Sequence, residues 1–182
     1  MSGDRQVKVL YDENAIAQRT ETLAREIAAA KPKDLLVVAI LKGSFMFAAD
    51  LLRALHRAGL EPQVEFFHLS SYLERTVSSG TVKILRDIES SVRDRDVLLV
   101  DDILESGRTL AFAKDLLIAR GARRVLVCTM LEKPGKRAVA IGADFVGFVC
   151  PDVFVVGYGM DVAHSYRQLP FIGRVVTARD AA

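Results

Sequence analysis

Short apolar runs alternate along this chain with amphipathic stretches three to four turns long, the rhythm of strands interleaved with covering helices. The runs at 35–41 (LLVVAIL), 64–69 (VEFFHL), 81–85 (TVKIL), 97–100 (VLLV), 124–131 (RVLVCTML) and 153–158 (VFVVGY) read as strands. Most lack strict alternation, so both faces of the sheet are expected to be covered. Between them, Ile16, Leu23 and Ile27 share one helical face ahead of Lys31-Pro32. Phe45, Ala48, Leu52 and Leu55 do the same ahead of Gly59, and Leu110, Ala113 and Leu117 ahead of Gly121. Both glycines stand where a helix would stop. The pattern predicts an α/β fold, a largely parallel twisted sheet flanked by helices.

One stretch departs from this alternation. Residues 70–80 (SSYLERTVSSG) are rich in hydroxyls and charge and lie between two predicted strands. A loop of that length is uncommon without a task, so it reads as a long hairpin loop or lid.

Composition narrows the function classes. The 182 residues suit a single domain spanning 1–182, and 51% hydrophobic content is enough to bury a core. Lys plus Arg number 25 against 23 for Asp plus Glu, without a basic arm or stripe, so no nucleic-acid partner is expected. No run approaches the roughly 18 apolar residues of a membrane span, and the N-terminus lacks a signal-peptide pattern. No membrane partner and a cytoplasmic location are therefore expected. Cys128 and Cys150 both sit inside apolar runs and read as buried small hydrophobes.

The chemistry is concentrated in VLLVDDILESGRTL, residues 97–110, where a buried strand gives way to a helix. In an open α/β sheet ligands bind beyond the carboxyl ends of the strands. A helix start there supplies free N–H groups and the positive end of the dipole, so Glu105, Ser106, Gly107, Arg108 and Thr109 suit a phosphate. Asp101 and Asp102 repel a phosphate. They fit if they accept hydrogen bonds from ribose hydroxyls, directly or through magnesium. Together these needs describe a sugar phosphate. There is no G-x-x-x-x-G-K-[ST], and GYGMDV lacks the third glycine of a dinucleotide fingerprint.

The same stretch resembles the phosphoribosyl pyrophosphate signature of the type I phosphoribosyltransferases, and the chain is most similar to their hypoxanthine-guanine branch. VAILKGS, SSYLERTVSSGTVKI, LEKP, DFVGFVCPDVFVVGYGMD and YRQLPFIG follow in that family's order and cover roughly residues 8–175. The resemblance implies a type I fold with a small hood and a flexible lid hairpin carrying Ser71 and Tyr72. It implies a pyrophosphate site at Lys42 and Gly43, with a cis peptide before Lys42, and an arginine, Arg167, that reaches the same group. Phe154 matches the aromatic ring stacked on the purine, the Val155 main chain the reader of the base edge, and Asp161 a magnesium-associated aspartate. Asp101, Asp102 and Asp161 are the implied Mg2+ set. Lys133 matches the lysine on the purine 6-oxygen; an ammonium only donates, so it suits a 6-oxo group and opposes adenine's 6-amino group.

Three positions depart from the family pattern. Leu73 stands in the lid where many bacterial relatives carry glycine. Asp101 stands where relatives often carry glutamate. Glu105 stands where the family usually has the aspartate that takes the proton from N7 of the base. Glutamate keeps the charge and adds a methylene, and the expectation is a loop adjusted to the longer side chain.

The function implied is transfer of phosphoribose from phosphoribosyl pyrophosphate to hypoxanthine or guanine, giving IMP or GMP and pyrophosphate, by a homodimer or homotetramer. The alternatives are a nucleotide-sensing regulator on the same fold and a transferase for xanthine or a pyrimidine.

Overall fold

Strands that are apolar on both faces must be covered from both sides, and the three helices of the described residues divide between the two faces of one sheet. The computed structural model describes residues 6–71 and 82–176. In chain order these form β1 (Val7–Tyr11), α1 (Glu13–Ala29), β2 (Leu36–Leu41), α2 (Phe45–Arg57), β3 (Gln63–Ser71), β4 (Val82–Arg86), β5 (Asp96–Leu104), α3 (Arg108–Ala119), β6 (Arg124–Glu132), β7 (Phe145–Val149), β8 (Val155–Val156) and β9 (Ile172–Val175). The main sheet has the order β4-β3-β2-β5-β6-β7, and a three-stranded sheet has the order β1-β9-β8. Within the main sheet only the β3–β4 pairing is antiparallel. The predicted class holds.

Alternate residues of the central strands feed two separate cores. Val37, Ala39, Leu98, Val100 and Cys128 pack under α1 and α2, while Leu36, Val38, Ile40, Val97, Leu99 and Val127 pack under α3. Fully burying each such side chain contributes roughly 1.5–3 kcal/mol before the entropy of ordering is counted. The helices begin and end for local reasons. The Asp12 carboxylate caps α1 by accepting from Ala15 N at 2.8 Å, and Gly59 and Gly121, both with positive φ, follow the ends of α2 and α3.

Three strands escape the sequence pattern. β1 and β9 pair with each other, and β7 is the edge of the main sheet. β1 is half-exposed, and β7 and β9 each contain a glycine that reads locally as a breaker. The run at 153–158 forms strand only at Val155–Val156.

The buried face of α2 is also rotated from the predicted one. Phe47, Ala48, Leu51, Ala54 and Leu55 are buried, whereas Phe45 is 37% exposed and Leu52 only partly covered. The segment FMFAADLLRALHR is apolar on several sides, so its docking against α1 and β2, not its periodicity, selects the stripe.

Both cysteines are buried, and burial pushes both thiols up, so they serve as packing residues. Among the described residues no helix is long and apolar enough to cross a membrane.

Candidate functional site

β2 and β5 lie side by side at the centre of the sheet, and the chain leaves them in opposite directions, β2 toward β3 and β5 toward β6. The crevice beyond their carboxyl ends is a topological switch point. It brings together residues 41–43 and residues 101–109, which are far apart in sequence.

The strand does not end at Val100. β5 continues to Leu104 because β6 keeps pairing with it, Asp101 opposite Thr129 and Leu104 opposite Glu132. The two aspartates are therefore strand residues fixed by the ladder. Asp101 is buried, and its Oδ1 accepts from Asp102 N at 2.9 Å. Burial drives both carboxyls above the ordinary range. At Asp101 the neighbouring Asp102 charge adds to this; at Asp102 a hydrogen bond with Asp101, and then the Arg167 charge, oppose it. The pair holds a proton more tightly than exposed aspartates do, until donors or a cation arrive.

Beyond Leu104 the chain turns into α3. Gly107 occupies the N-cap with φ of +80°, and no side chain caps the helix. Thr109 is thus inside the first turn and not the cap. Any Cβ at Gly107 would lie 2.5 Å from Ile141 Cγ2 as well as demanding a left-handed backbone. The uncapped N-terminus faces a small cavity of about 80 Å3 lined by Asp101, Ile103, Glu105, Ser106, Gly107, Thr109 and Leu110. Arg108 is exposed on the outside of this turn.

Arg137, which no motif singles out, fixes the turn from beneath. Its Nη1 donates to the carbonyls of Leu104 at 2.9 Å and Glu105 at 2.6 Å, its Nε donates to Ile141 O at 3.1 Å, and its other nitrogen pairs with Glu132. The run KPGKR signals only positive charge in the sequence; the carbonyls it satisfies become neighbours through β5–β6 pairing.

A larger cavity of about 530 Å3 adjoins the first. Ile103 and Glu105 line both. Lys133 is buried at its edge, with its N–H donating to Leu104 O at 3.0 Å and its Nζ 3.7 Å from Glu105 Oε1. Lys136, another residue that the sequence did not single out, lies 3.6 Å from the same oxygen and 2.6 Å from Asp152 Oδ1. Phe154 lines this cavity and is 57% exposed, a large ring with an open face. Val155 beneath it is buried and paired with Arg174 across β8–β9.

On the β2 side, the Leu41-Lys42 peptide is cis, as the resemblance implied, and Lys42 is exposed. Ser44 leaves the start of α2 uncapped because its hydroxyl donates instead to Ile40 O at 2.5 Å. A Cβ on Gly43 would lie 2.5 Å from the Asp102 carboxyl carbon. Gly159 in turn packs on the Gly43 carbonyl so closely that a Cβ there would overlap it. Arg167 Nη1 donates to Gly159 O at 2.6 Å, and its Nη2 pairs with Asp161 Oδ1 at 2.7 Å. Asp161 Oδ2 accepts from His164 N at 2.7 Å.

Both oxygens of Asp161 are thus engaged, and among the described residues no cluster of three or more His, Cys, Asp or Glu forms a ready metal cage. The expected trio of Asp101, Asp102 and Asp161 is not assembled as one. Magnesium needs no such cage, since it commonly takes one or two carboxylates with water and substrate oxygens. Of the lid residues, Ser71 closes β3, and its side chain, Tyr72 and Leu73 lie outside the described residues.

A separate cleft of about 370 Å3 lies between α1, α2 and the segment that follows Tyr158. Both of its arginines are paired, Arg57 with Glu21 and Arg53 with Asp50, and Tyr158 Oη donates to Asp50 Oδ2 at 2.7 Å.

Known proteins resemble this chain in sequence and in fold. Residues 6–163 match the model of the phosphoribosyl transferase domain. The chain is 47% identical over 167 residues to the bifunctional protein TilS/HprT of Listeria innocua, covering 91% of this chain but spanning only 25% of that relative. It is 40% identical over 173 residues to the hypoxanthine phosphoribosyltransferase of Escherichia coli K12, covering 93% of this chain and 96% of that one. The crystal structure of a hypoxanthine phosphoribosyltransferase from Staphylococcus aureus superposes with a TM-score of 0.88 at 38% identity, covering 95% of this chain and 92% of its own.

Proposed function

From a chain that belongs to the phosphoribosyl transferase family, in its hypoxanthine phosphoribosyltransferase branch, we infer a purine-salvage enzyme that moves phosphoribose from phosphoribosyl pyrophosphate to hypoxanthine or guanine. One observation carries the reading. Glu105 and Ile103 line both the small cavity at the start of α3 and the large cavity under Phe154. A group held in the first and a ring held in the second would meet beside the Glu105 carboxylate.

The roles follow from chemistry. The α3 N-terminus, with Ser106 and Thr109, binds the 5′-phosphate through free amides and hydroxyls. Asp101 and Asp102 accept from the ribose hydroxyls. Phe154 covers one face of the base, Val155 and Asp161 border its edge, and Lys133 donates to the 6-oxygen. As a ring nitrogen of the purine bonds to the anomeric carbon, the bond from that carbon to the pyrophosphate oxygen breaks, and Glu105 takes the proton from N7. Lys42, Gly43 and Arg167 lie on the side where pyrophosphate departs.

Mg2+ fits the oxygen donors of Asp101 and Asp102, which would hold it against the sugar and diphosphate, where it would neutralise the leaving group's charge. Burial with raised proton affinity suits this role, because a carboxyl pair in that state is relieved by a cation. Ser71 and Tyr72 complete the proposal as a lid that excludes water from the reacting carbon. Location in the cytoplasm and assembly as a homodimer or homotetramer are part of the same reading. Exposed Val64, Phe66 and Leu85 on β3 and β4 support association, and light scattering reports the mass.

The test is turnover. Purified protein with phosphoribosyl pyrophosphate and Mg2+ should release pyrophosphate with hypoxanthine and guanine, and not with adenine or orotate. Xanthine in the same series separates the nearest alternative. Absence of release with either 6-oxopurine would overturn the reading.

A further inference from the structure

Two lysines converge on one oxygen of Glu105. Lys133 is buried and lies 3.7 Å from Oε1, while Lys136 is half-exposed and lies 3.6 Å from it. The Lys133 ammonium already stands 3.7 Å from the carboxylate oxygen, beyond hydrogen-bond reach, and holds it by charge alone. If its ammonium turns to the purine oxygen, it loosens its hold on the carboxylate. Lys136 lines the same cavity from its exposed side, and its own position is set by Asp152 at 2.6 Å.

We propose that Lys136 is a positioning residue for this reaction: anchored on Asp152, it holds the Glu105 carboxylate in place while Lys133 is engaged by the base. The inference rests on the functional reading above. It also accounts for the glutamate. A glutamate side chain has one more rotatable bond than aspartate and wanders further unless tethered. Here the main chain at Leu104 and Glu105 is clamped by Arg137 and the far end of the side chain by Lys136. The backbone is thus held by hydrogen bonds from Arg137, and the carboxylate is drawn from a second direction by an ion pair at 3.6 Å.

Because Lys136 is half-exposed, Asp152 exposed and Glu105 partly so (side chains at 49%, 60% and 37%), water screens the network. Its contribution to folding is small. Its effect falls on geometry, where a displacement of about 1 Å at the reacting centre costs on the order of a hundredfold in rate.

The experiment is a double-mutant cycle in the full chain with hypoxanthine and phosphoribosyl pyrophosphate. K136M should lower kcat by roughly tenfold or more with KM for phosphoribosyl pyrophosphate unchanged, and K136R should restore most of it. In an E105Q background, K136M should have no further effect on the residual single-turnover rate, since its action passes through the carboxylate. Equal losses in both backgrounds, an unaltered kcat in K136M, or a change confined to KM for the base would each overturn the proposal. The 13C resonance of the Glu105 carboxyl, read without turnover, should shift in K136M and return in K136R. A wild-type protein without turnover would therefore fail the functional reading alone, whereas an unmoved resonance would fail the clamp.

Discussion

Gly43 and Asp102 come so close that the space a methyl group on Gly43 would need is already filled by the Asp102 carboxylate. One residue ends the β2 loop and the other stands near the end of β5, and the sheet order makes them neighbours. The loop proposed to take the diphosphate and the strand end proposed to take the ribose therefore constrain each other directly.

Gly43→Ala should leave a folded protein with a disabled site. The overlapped atoms belong to a side chain that can rotate away, so the backbone need not move, but Asp102 then leaves its place. The expected result is a fall of about a hundredfold or more in kcat/KM. Tm should stay within about 4 °C of the parent protein. A fully active Ala variant would show that the site does not need Asp102 in the place it occupies here.

Asp101→Asn should trade activity for stability. Burial first, and then the Asp102 charge, raise the proton affinity of Asp101 in the folded protein. The unfolded chain therefore loses this proton at lower pH than the folded one. Between the ordinary carboxylate value and the raised one the folded state binds more protons, so stability falls as pH rises through that window. The asparagine removes this cost. In metal-free buffer its Tm should exceed that of the parent at pH 7, with the gap closing as the pH is lowered toward 4, while turnover with Mg2+ falls.

Lys133→Met should loosen the choice of base. Removing a buried cationic donor costs hypoxanthine about ten- to a hundredfold in kcat/KM. Adenine, whose 6-amino group no longer faces an ammonium, should lose less or gain. The ratio of the two specificity constants, measured at saturating phosphoribosyl pyrophosphate, is the readout.

Glu105→Asp should reduce turnover, even though aspartate is the family's usual residue. Both lysines contact the longer side chain's terminal oxygen, and shortening it withdraws the carboxylate by more than about 1 Å, for an expected ten- to hundredfold loss in kcat. Undiminished turnover would mean that the turn at residues 104–107 shifts to follow the shorter side chain.

The sequence by itself determined the alternation of strands and helices, because side-chain periodicity and glycine stops are local properties of consecutive residues. It also marked the acid pair and the Gly107 helix start, and its resemblance to a family pointed to Lys133 and to the cis peptide before Lys42. There each residue type is required by a local backbone conformation or by the chemistry of a matched motif. Only the tertiary structure decided which stripe of α2 is buried and that β5 runs through Asp101 and Asp102 to Leu104. It alone set Gly43 against Asp102 and placed Arg137 and Lys136 on the two ends of Glu105. These are contacts between segments that chain order leaves apart, and they exist because β2 pairs with β5, and β5 with β6, in a sheet whose strand order periodicity cannot encode.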